Sequence, residues 1–397
     1  MTDAVIVDVI RTPSGRGKPG GQLSAIHPTD MLAQVLRALV ERNRLDPGEV
    51  DDVVGGCVAQ AGQQALNITR SAVLGAGFPE SVPATTVDRQ CGSGQQAVHF
   101  AAQGVLAGVY DVVIACGVES MSRVPMGYAP HGEDTRGAAV AARYPDGLVH
   151  QGISAELLAA RWGLDRETLD EFAARSHRLA AQTATSGGFG GEIVPVTVPG
   201  PDGTTATATA DETVRASTTA EGLATLRPSF VDDGMSRRFP EIGWRITAGN
   251  SSPLTDGASA ALIMSEARAA ELGLRPRARF AGFAVSGSDP ILMLTGTVPA
   301  TQRVLARARL GIDDVDVYEV NEAFAPVPLV WQHELDADPG RLNPRGGAIA
   351  LGHPLGASGI RLLATMVNHL EASGGRYGLQ TMCEGAGMAN ATLIERL

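Results

Sequence analysis

Short apolar runs alternate along the chain with segments that repeat apolar positions at helical spacing. The runs at residues 4–10, 111–116 and 314–320 have the apolar or alternating pattern of β-strands. Residues 30–43 repeat leucine and valine every three or four positions, which predicts a helix with one apolar face, capped by Thr29 or Asp30. This alternation predicts an α/β protein with parallel strands.

Two distant segments follow the same plan. In the first, a glycine-rich turn at 91–94 precedes a helical pattern and then the strand-like run that ends in "IACGVES". In the second, "GHPLGASG" at 352–359 precedes a helical pattern and then "LQTMCEGAG" at 379–387. The repeat predicts a duplicated unit, whose two helix N-termini and two strand ends meet at one centre.

The middle of the chain differs in character from both repeats. Residues 119–246 contain mixed loops, one amphipathic helical pattern and a threonine-rich stretch. We therefore expect an N-terminal core half at 1–118, completed by about 247–272, and a C-terminal core half at 273–397. The segment 119–246 is interpreted as an inserted loop domain.

Composition narrows the possible functions. The 397 residues are 44% hydrophobic, which supports a well-buried interior. The chain has 32 basic and 43 acidic residues, a net charge of −11, and no basic cluster. We therefore expect no nucleic-acid or membrane partner. An anionic ligand would need a local positive site. The acidic start and the lack of an 18-residue apolar run predict a cytoplasmic protein.

Lysine and cysteine usage narrows the chemistry further. Lys18 is the only lysine, so Schiff-base and pyridoxal enzymes lose their usual nucleophile. The four cysteines, at 57, 91, 116 and 383, show no Cys-x-x-Cys pair, and we interpret them as reduced thiols with no metal cluster. Cys57 and Cys116 lie in or beside strand-like runs and are interpreted as structural.

Two residues stand at the entrances to the repeated helices. Backbone N–H groups and the positive end of a helix dipole would favour a thiolate at Cys91, although a buried structural thiol fits this stretch equally well. His353, between Gly352 and Pro354, is held by the backbone. It could accept a proton from a thiol or donate a hydrogen bond to an oxyanion.

Two more candidates follow strand-like runs. The thiol of Cys383 could face the same centre as Cys91. Asn321, in "VNEAFAP", could hold a water or a carbonyl oxygen, but an Asn-Glu pair more often caps a helix.

Four motifs in register resemble those of the thiolase family. They are "CGSGQQAV" from Cys91, "NEAFAP" from Asn321, "GGAIALGHPLGASG" around His353 and "CEGAGMANATLIE" from Cys383. The resemblance covers essentially the whole chain, including "RTPSG", "ESMSR" and "TAGNSSPLTDGASA". It implies the α/β thiolase fold: duplicated βαβαβαββ halves in five αβαβα layers, with a loop domain inserted in the first half.

The resemblance also implies an activity and residue roles. The activity is CoA-dependent cleavage of 3-ketoacyl-CoA to acetyl-CoA and a shortened acyl-CoA, or the reverse condensation. Cys91 would be the nucleophile, His353 its activating base and Cys383 the second acid and base. Asn321 would hold a water, and the N–H groups of Cys91 and Gly385 would bind an oxyanion.

The partners that follow from the resemblance are acyl-CoA and CoA. CoA is a co-substrate, with no permanently bound cofactor and no metal, and the chain is expected to form a homodimer or homotetramer. The positions expected to face CoA are His150, Arg215, Gly222, Leu226, Ser229, Phe230, Ala248, Ser252, Ala323 and Phe324. Arg215 would contact the nucleotide end, although an arginine in a polar loop is by default solvated.

Three departures from the family pattern bear on the substrate. They are Gly385-Ala386-Gly387 in place of three glycines, Gln151 in place of the methionine of acetoacetyl-specific members, and a long segment before "TAGN". Together with "CGSGQQ" they favour a degradative thiolase, for long or bulky chains, over an acetoacetyl-CoA-specific biosynthetic one.

Three readings of other kinds stay open. The first is a cysteine hydrolase that uses Cys91, His353 and Asn321. The second is a decarboxylating ketosynthase, although that class replaces the second cysteine. The third is a catalytically silent thiolase-like binding protein.

Overall fold

A mixed β-sheet runs through the centre of the computed structural model, which describes residues 3–397. The strands of this part of the chain are β1 (Ala4–Arg11), β2 (Gly15–Arg16), β3 (Asp52–Gly56), β4 (Ala84–Val87), β5 (Val112–Ser120), β6 (Val196–Pro199), β7 (Thr205–Ala208), β8 (Thr255–Ser265), β9 (Ala278–Gly287), β10 (Val317–Val320), β11 (Tyr377–Glu384) and β12 (Met388–Arg396). All except β6 and β7, which pair with each other, belong to the large sheet.

Helices cover and separate the two halves of this sheet. The α-helices of the described residues are α1 (Pro28–Asn43), α2 (Ile68–Gly75), α3 (Ser93–Leu106), α4 (Gly137–Arg143), α5 (Gln151–Arg161), α6 (Arg166–Thr185), α7 (Ala220–Ala224), α8 (Asp233–Arg238), α9 (Glu266–Glu271), α10 (Thr297–Ala308), α11 (Pro326–Leu335), α12 (Ala348–Leu351) and α13 (Leu355–Ser373). No helix within residues 3–397 is both long and apolar enough to cross a bilayer.

The helix predicted at 30–43 is confirmed, and its leucine and valine face is buried against the sheet. The predicted caps are wrong, because the helix begins earlier, at Pro28. His27 is the N-cap, and its Nδ1 accepts a hydrogen bond from the Thr29 N–H at 3.3 Å. Proline suits the first helical turn, where its missing N–H costs nothing.

The strand order β10-β11-β12-β9-β1-β8-β5-β3-β4 consists of two similar sheets joined edge to edge. Pairs at Val5–Arg279 and Ile6–Ala278 make the junction between β1 and β9. Strand β8, which follows the segment 119–246, returns to lie antiparallel between β1 and β5. The first half of the core is thus completed by residues that come after the long middle segment.

The predicted duplication is confirmed by the order of elements. The first half reads β1-α1-β3-α2-β4-α3-β5-β8, which is βαβαβαββ. The second half reads β9-α10-β10-α11, then α13-β11-β12. Its third strand is reduced to one parallel bridge between Tyr318 and Leu342, at the place that β4 occupies in the first half.

The helices and the two sheets form five layers, because each sheet has helices packed on both of its faces. Alternate residues of β1 and β5 pack outward against α1 and α2, and inward against α3 and α13. Helices α10 and α11 cover the outer face of the second sheet. Cys57 and Cys116 lie in the outer core of the first half, in agreement with the structural role predicted for them.

The two central helices touch backbone to backbone near their N-termini. A methyl group at Gly359 of α13 would overlap the backbone nitrogen of Gln95 in α3, and one at Gly94 would overlap the carbonyl oxygen of Gly356. Glycine is therefore required at this crossing. The contact brings the residues that precede each helix, Cys91 and His353, to the same region of the molecule.

We expect Gly359→Ala to lower the free energy of unfolding by roughly 1–3 kcal/mol, because the added methyl group must push α3 and α13 apart. Chemical denaturation measures the change. Gly75→Ala is the matched control: its methyl group would lie 3.5 Å from the Ala33 Cβ, an ordinary contact, and should cost nothing. Equal stability of Gly359→Ala and the parent chain would contradict the tight crossing.

Candidate active site

The four predicted chemical residues stand at the ends of core elements. Cys91 lies in the turn between β4 and α3, and His353 between α12 and α13. Asn321 directly follows β10, and Cys383 is the last residue but one of β11. All four side chains are buried.

His353 is held in one orientation and one tautomer. Its Nδ1 lies 2.6 Å from the hydroxyl oxygen of Ser358, and that hydroxyl donates its own proton to the Pro354 carbonyl at 2.9 Å. The Ser358 oxygen must therefore accept a proton from Nδ1, which leaves the lone pair on Nε2. Burial, with a contribution from Arg361, lowers the pKa of His353 to about 3. The imidazole is therefore neutral at pH 7, with the lone pair of Nε2 unprotonated.

Asn321 lies against that free nitrogen. Its Nδ2 is 3.4 Å from His353 Nε2, and its backbone N–H donates to the Thr381 carbonyl at 3.0 Å, which extends the pairing of β10 with β11. The helix-cap interpretation is excluded, because α11 begins at Pro326 with Ala325 as its N-cap. Among the described residues, Asn321 Oδ1 has no hydrogen-bond partner, so it is free to bind a water or ligand.

Two buried carboxylates fix the loops that carry these groups. Glu119 accepts hydrogen bonds from the backbone N–H groups of Val58 and Gly356, both at 3.0 Å. Glu322 accepts from the Ser176 hydroxyl at 2.7 Å and the Ile349 N–H at 3.1 Å. The loop before α13 is thereby tied to β5, β10 and α6. Sequence reasoning assigned no role to Glu119, Glu322 or Ser358.

The segments that carry the two thiols are in direct contact. The Glu384 carboxylate, next to Cys383, lies so close to Gly92, next to Cys91, that a methyl group at Gly92 would overlap it. The Asn390 amide donates to the Gly92 carbonyl at 3.0 Å. The charge of an ionised Cys91 raises the pKa of Cys383, so the two sulfurs lie within electrostatic range of each other.

Of the two forms of Cys91 left open by the sequence, thiolate and buried thiol, the surroundings of the sulfur favour the thiol in the resting protein. Burial and the Glu384 carboxylate raise the pKa of Cys91 to about 12, although the hydrogen bond from its own N–H acts in the opposite direction. Desolvation of a charged sulfur outweighs the favourable end of the helix. Cys91 therefore rests as a thiol, and a base must take its proton when a ligand is in place.

Two adjoining cavities, which share several lining residues, extend from the surface to His353. The inner cavity, of about 200 Å³, is lined by His353 and Leu355, and the outer groove has about 630 Å³. Both are lined by Phe230 and by residues 251, 252, 253 and 254, which form the passage between them. Residues Ser251, Pro253 and Leu254 were not predicted from the sequence.

Eight of the ten positions expected to face CoA line this passage. The inner cavity includes His150, Phe230, Ser252, Ala323 and Phe324, and the outer groove includes Arg215, Ser229, Phe230, Ala248 and Ser252. Gly222 and Leu226 line neither cavity. Gly222 lies within α7, where its N–H binds the Thr219 hydroxyl, and the Leu226 side chain lies beside Gly249.

The outer groove supplies the positive site that an anionic ligand needs. Arg16, Lys18 and Arg215 line it together with Glu212, which forms an ion pair with Arg16 at 2.5 Å. Lys18 is exposed, and it is the single lysine of the sequence. The sequence alone does not indicate this position for Lys18, because the loop at 16–21 meets residue 254 only in the folded chain.

Comparisons with known proteins agree with this geometry. The family model of the N-terminal domain of thiolase matches residues 4–267, and that of the C-terminal domain matches 274–396. A steroid 3-ketoacyl-CoA thiolase of Mycobacterium tuberculosis is 46% identical over 409 residues, covering 100% of this chain and 95% of that protein. A 3-ketoacyl-CoA thiolase of Vibrio vulnificus is 44% identical over 401 residues, covering 100% of both chains.

A solved structure is similar over the same length. The crystal structure of the Bacillus anthracis acetyl-CoA acetyltransferase superposes with a TM-score of 0.90 at 37% identity, covering 100% of this chain and 99% of that one.

We expect ¹⁵N NMR of histidine-labelled protein to show His353 protonated on Nδ1 alone from pH 7 down to about pH 4, because its pKa is lowered to about 3. Ser358→Ala removes the acceptor and should produce a mixture of the two tautomers. A His353 that gains a second proton near pH 6.5, the ordinary value, would contradict this description.

Proposed function

The chain belongs to the thiolase family, and we propose that it cleaves 3-ketoacyl-CoA in the degradative direction through an acyl group carried on Cys91. The observation that carries the proposal is the set of contacts around the inner cavity, which His353 lines and whose outer continuation is cationic. Asn321 lies 3.4 Å from His353 Nε2, and Cys91 packs in one apolar cluster with Met121 and Leu355, which line the same cavity. A transferase with two half-reactions needs both thiols, whereas a hydrolase needs one.

In the first half-reaction, His353 Nε2 accepts the proton of Cys91, and the sulfur attacks the C3 ketone. The N–H groups of Cys91 and Gly385 bind the oxyanion, and each such donor is worth about 3 kcal/mol in the transition state. The C2–C3 bond then breaks, leaving a thioester on Cys91. His353 and a water held by Asn321 bind the enolate oxygen of acetyl-CoA, and Cys383 protonates its carbon.

In the second half-reaction, Cys383 takes the proton of an incoming CoA thiol. That sulfur attacks the thioester on Cys91, the acyl group moves to CoA, and the proton on His353 returns to the Cys91 sulfur. Both catalytic thiols end as they began. The neutral resting forms of Cys91 and His353 fit this cycle, because no charge must be stored in the buried site between turnovers.

CoA would enter by the outer groove. The groups Arg16, Lys18 and Arg215 are suited to its phosphates, and Ser252 and Phe324 line the way inward for pantetheine. Lys18 is the single lysine among the 32 lysine and arginine residues of the chain, and all the rest are arginines. A compact, flexible ammonium group suits a phosphate that moves as CoA enters and leaves.

We propose that the acyl chain is long or bulky. Met121, Met126 and Gln151 line the inner cavity with Leu254, and Met126 and Leu254 are exposed, so this wall opens toward solvent. Methionine side chains adapt to irregular apolar ligands. The contact between Gln151 Nε2 and Met126 Sδ, at 3.6 Å, is the part of the wall that an extended chain would displace.

We also propose that the chain forms a homodimer or homotetramer and is located in the cytoplasm. Four apolar side chains are exposed: Leu66 in the loop before α2, Phe100 and Leu106 on α3, and Val109 just after α3. Apolar surface of this kind favours contact with another subunit.

Cys383→Ala is expected to lower turnover of 3-ketoacyl-CoA by at least about 10²-fold, because the enolate and the CoA thiol lose their proton donor and acceptor. The release of acetyl-CoA measures turnover. Cys116→Ala, in the outer core, is the control and should retain activity. Full turnover by Cys383→Ala would favour a cysteine hydrolase instead.

A series of 3-ketoacyl-CoA substrates from four carbons to steroid size tests the chain length. We expect kcat/KM to be higher for the long and bulky members than for acetoacetyl-CoA, since the inner cavity opens toward solvent at Met126 and Leu254. Cleavage of acetoacetyl-CoA alone would instead identify a biosynthetic enzyme.

A further inference from the structure

Glu384 is a buried carboxylate that the reaction above does not use. It follows Cys383 at the end of β11 and has no exposed surface. Within residues 3–397, neither of its carboxylate oxygens has a hydrogen-bond partner. Glu119 and Glu322, two other buried carboxylates near the site, each accept several hydrogen bonds. An unpartnered carboxylate at this depth is costly and calls for a functional reason.

The position of this carboxylate is specific. Its Oε1 lies against Gly92, which is the N-cap of α3 and has no side chain to cap the helix. The first turn of a helix carries a partial positive charge from its free N–H groups. Glu384 therefore occupies the same electrostatic environment as the Cys91 sulfur, one residue away from Gly92.

The other charged and titratable groups around Glu384 are few. Arg89, in the turn before Cys91, acts on it with a positive charge, and Asp88 with a negative one. The two thiols, Cys91 and Cys383, both respond to its charge. Arg89 Nε lacks a hydrogen-bond partner among the described residues, so the arginine does not neutralise Glu384 through a paired contact at that atom.

We propose that Glu384 is a positioning residue for acyl transfer, whose carboxylate competes with the Cys91 sulfur for the single negative charge that the N-terminal end of α3 stabilises. Two negative charges in this buried space repel each other, so only one of the two groups ionises readily. An ionised Glu384 holds Cys91 as a thiol, and an acylated Cys91, which is neutral, allows Glu384 to ionise. The charge of Glu384 thus keeps the Cys91 sulfur protonated until that sulfur forms a bond to a substrate.

The protonation behaviour of Glu384 makes this competition visible in the accessible pH range. Burial raises its pKa to about 8, so between pH 7 and 9 it passes from mostly protonated to mostly ionised. Cys91, with a pKa of about 12, stays a thiol through this range. In the wild-type protein the charge that appears on Glu384 near pH 8 must make further ionisation of Cys91 harder.

The test is the rate of Cys91 alkylation by iodoacetamide between pH 6.5 and 10, followed by peptide mapping. For an isolated thiol below its pKa, the rate rises tenfold per pH unit. We expect the wild-type profile to bend to a lower slope near pH 8. In Glu384→Gln the bend should disappear, and the rate above pH 8 should exceed that of wild type by about tenfold for each unit by which the pKa of Cys91 falls.

Two variants separate charge from structure. Glu384→Asp keeps a carboxylate and should retain a bend, whereas Glu395→Gln, near the far end of β12, should leave the profile unchanged. A straight wild-type profile would overturn the proposal, and this measurement needs no variant to fold. The same bend in Glu384→Gln would also overturn it.

The inference rests on the proposed function in that Cys91 is taken as the nucleophile. Alkylation requires no acyl-CoA, however, so its outcome is independent of turnover. A protein that fails to cleave any 3-ketoacyl-CoA but shows the bend would refute the proposed function and keep the electrostatic competition. A protein that turns over 3-ketoacyl-CoA normally but gives a straight alkylation profile would support the proposed function and refute the electrostatic competition.

Discussion

The backbone contact between α3 and α13 is the constraint on which the rest of the structure depends. Because glycines stand at the crossing, the two helices approach closely enough for their N-termini to lie side by side. Cys91 precedes one of these helices and His353 the other. The strand ends that carry Asn321 and Cys383 reach the same place because β10 and β11 are parallel neighbours. The duplicated fold thus produces an asymmetric site, with a thiol on one repeat and an imidazole on the other.

The second constraint is burial. The groups that carry the chemistry are removed from water, and burial raises the pKa of both thiols and lowers that of His353. All three rest in their neutral forms. Such a site stores little charge and gives strong electrostatic effects when a substrate oxyanion forms. Buried partners such as Glu119 and Glu322 determine geometry through hydrogen bonds, while Glu384 acts through its charge.

The duplication and the candidates Cys91, His353, Cys383 and Asn321 could be proposed from the sequence because each depends on a local pattern. The CoA-facing positions followed only from the resemblance to the thiolase family, and eight of the ten line the two cavities. A glycine turn before a helix and an amide after a strand are visible in a few adjacent residues. The choice between thiolate and thiol at Cys91 stayed open because the helix end is visible in the sequence, whereas the depth of burial, which raises the pKa of Cys91, is not. Ser358, Glu119 and Lys18 were missed as site residues because their importance comes from contacts that form only in three dimensions. The Glu119 hydrogen bond to Gly356 spans 237 residues.

The most direct test of the account is to find where an acyl group rests during the reaction. The protein is mixed with a 3-ketoacyl-CoA in the absence of free CoA, quenched in acid and digested, and its peptides are weighed by mass spectrometry. If Cys91 carries the acyl group, a group of the shortened chain's mass will be found on the peptide that contains Cys91. An acyl group on Cys383 instead, or acetyl-CoA release with no acylated cysteine, would contradict it.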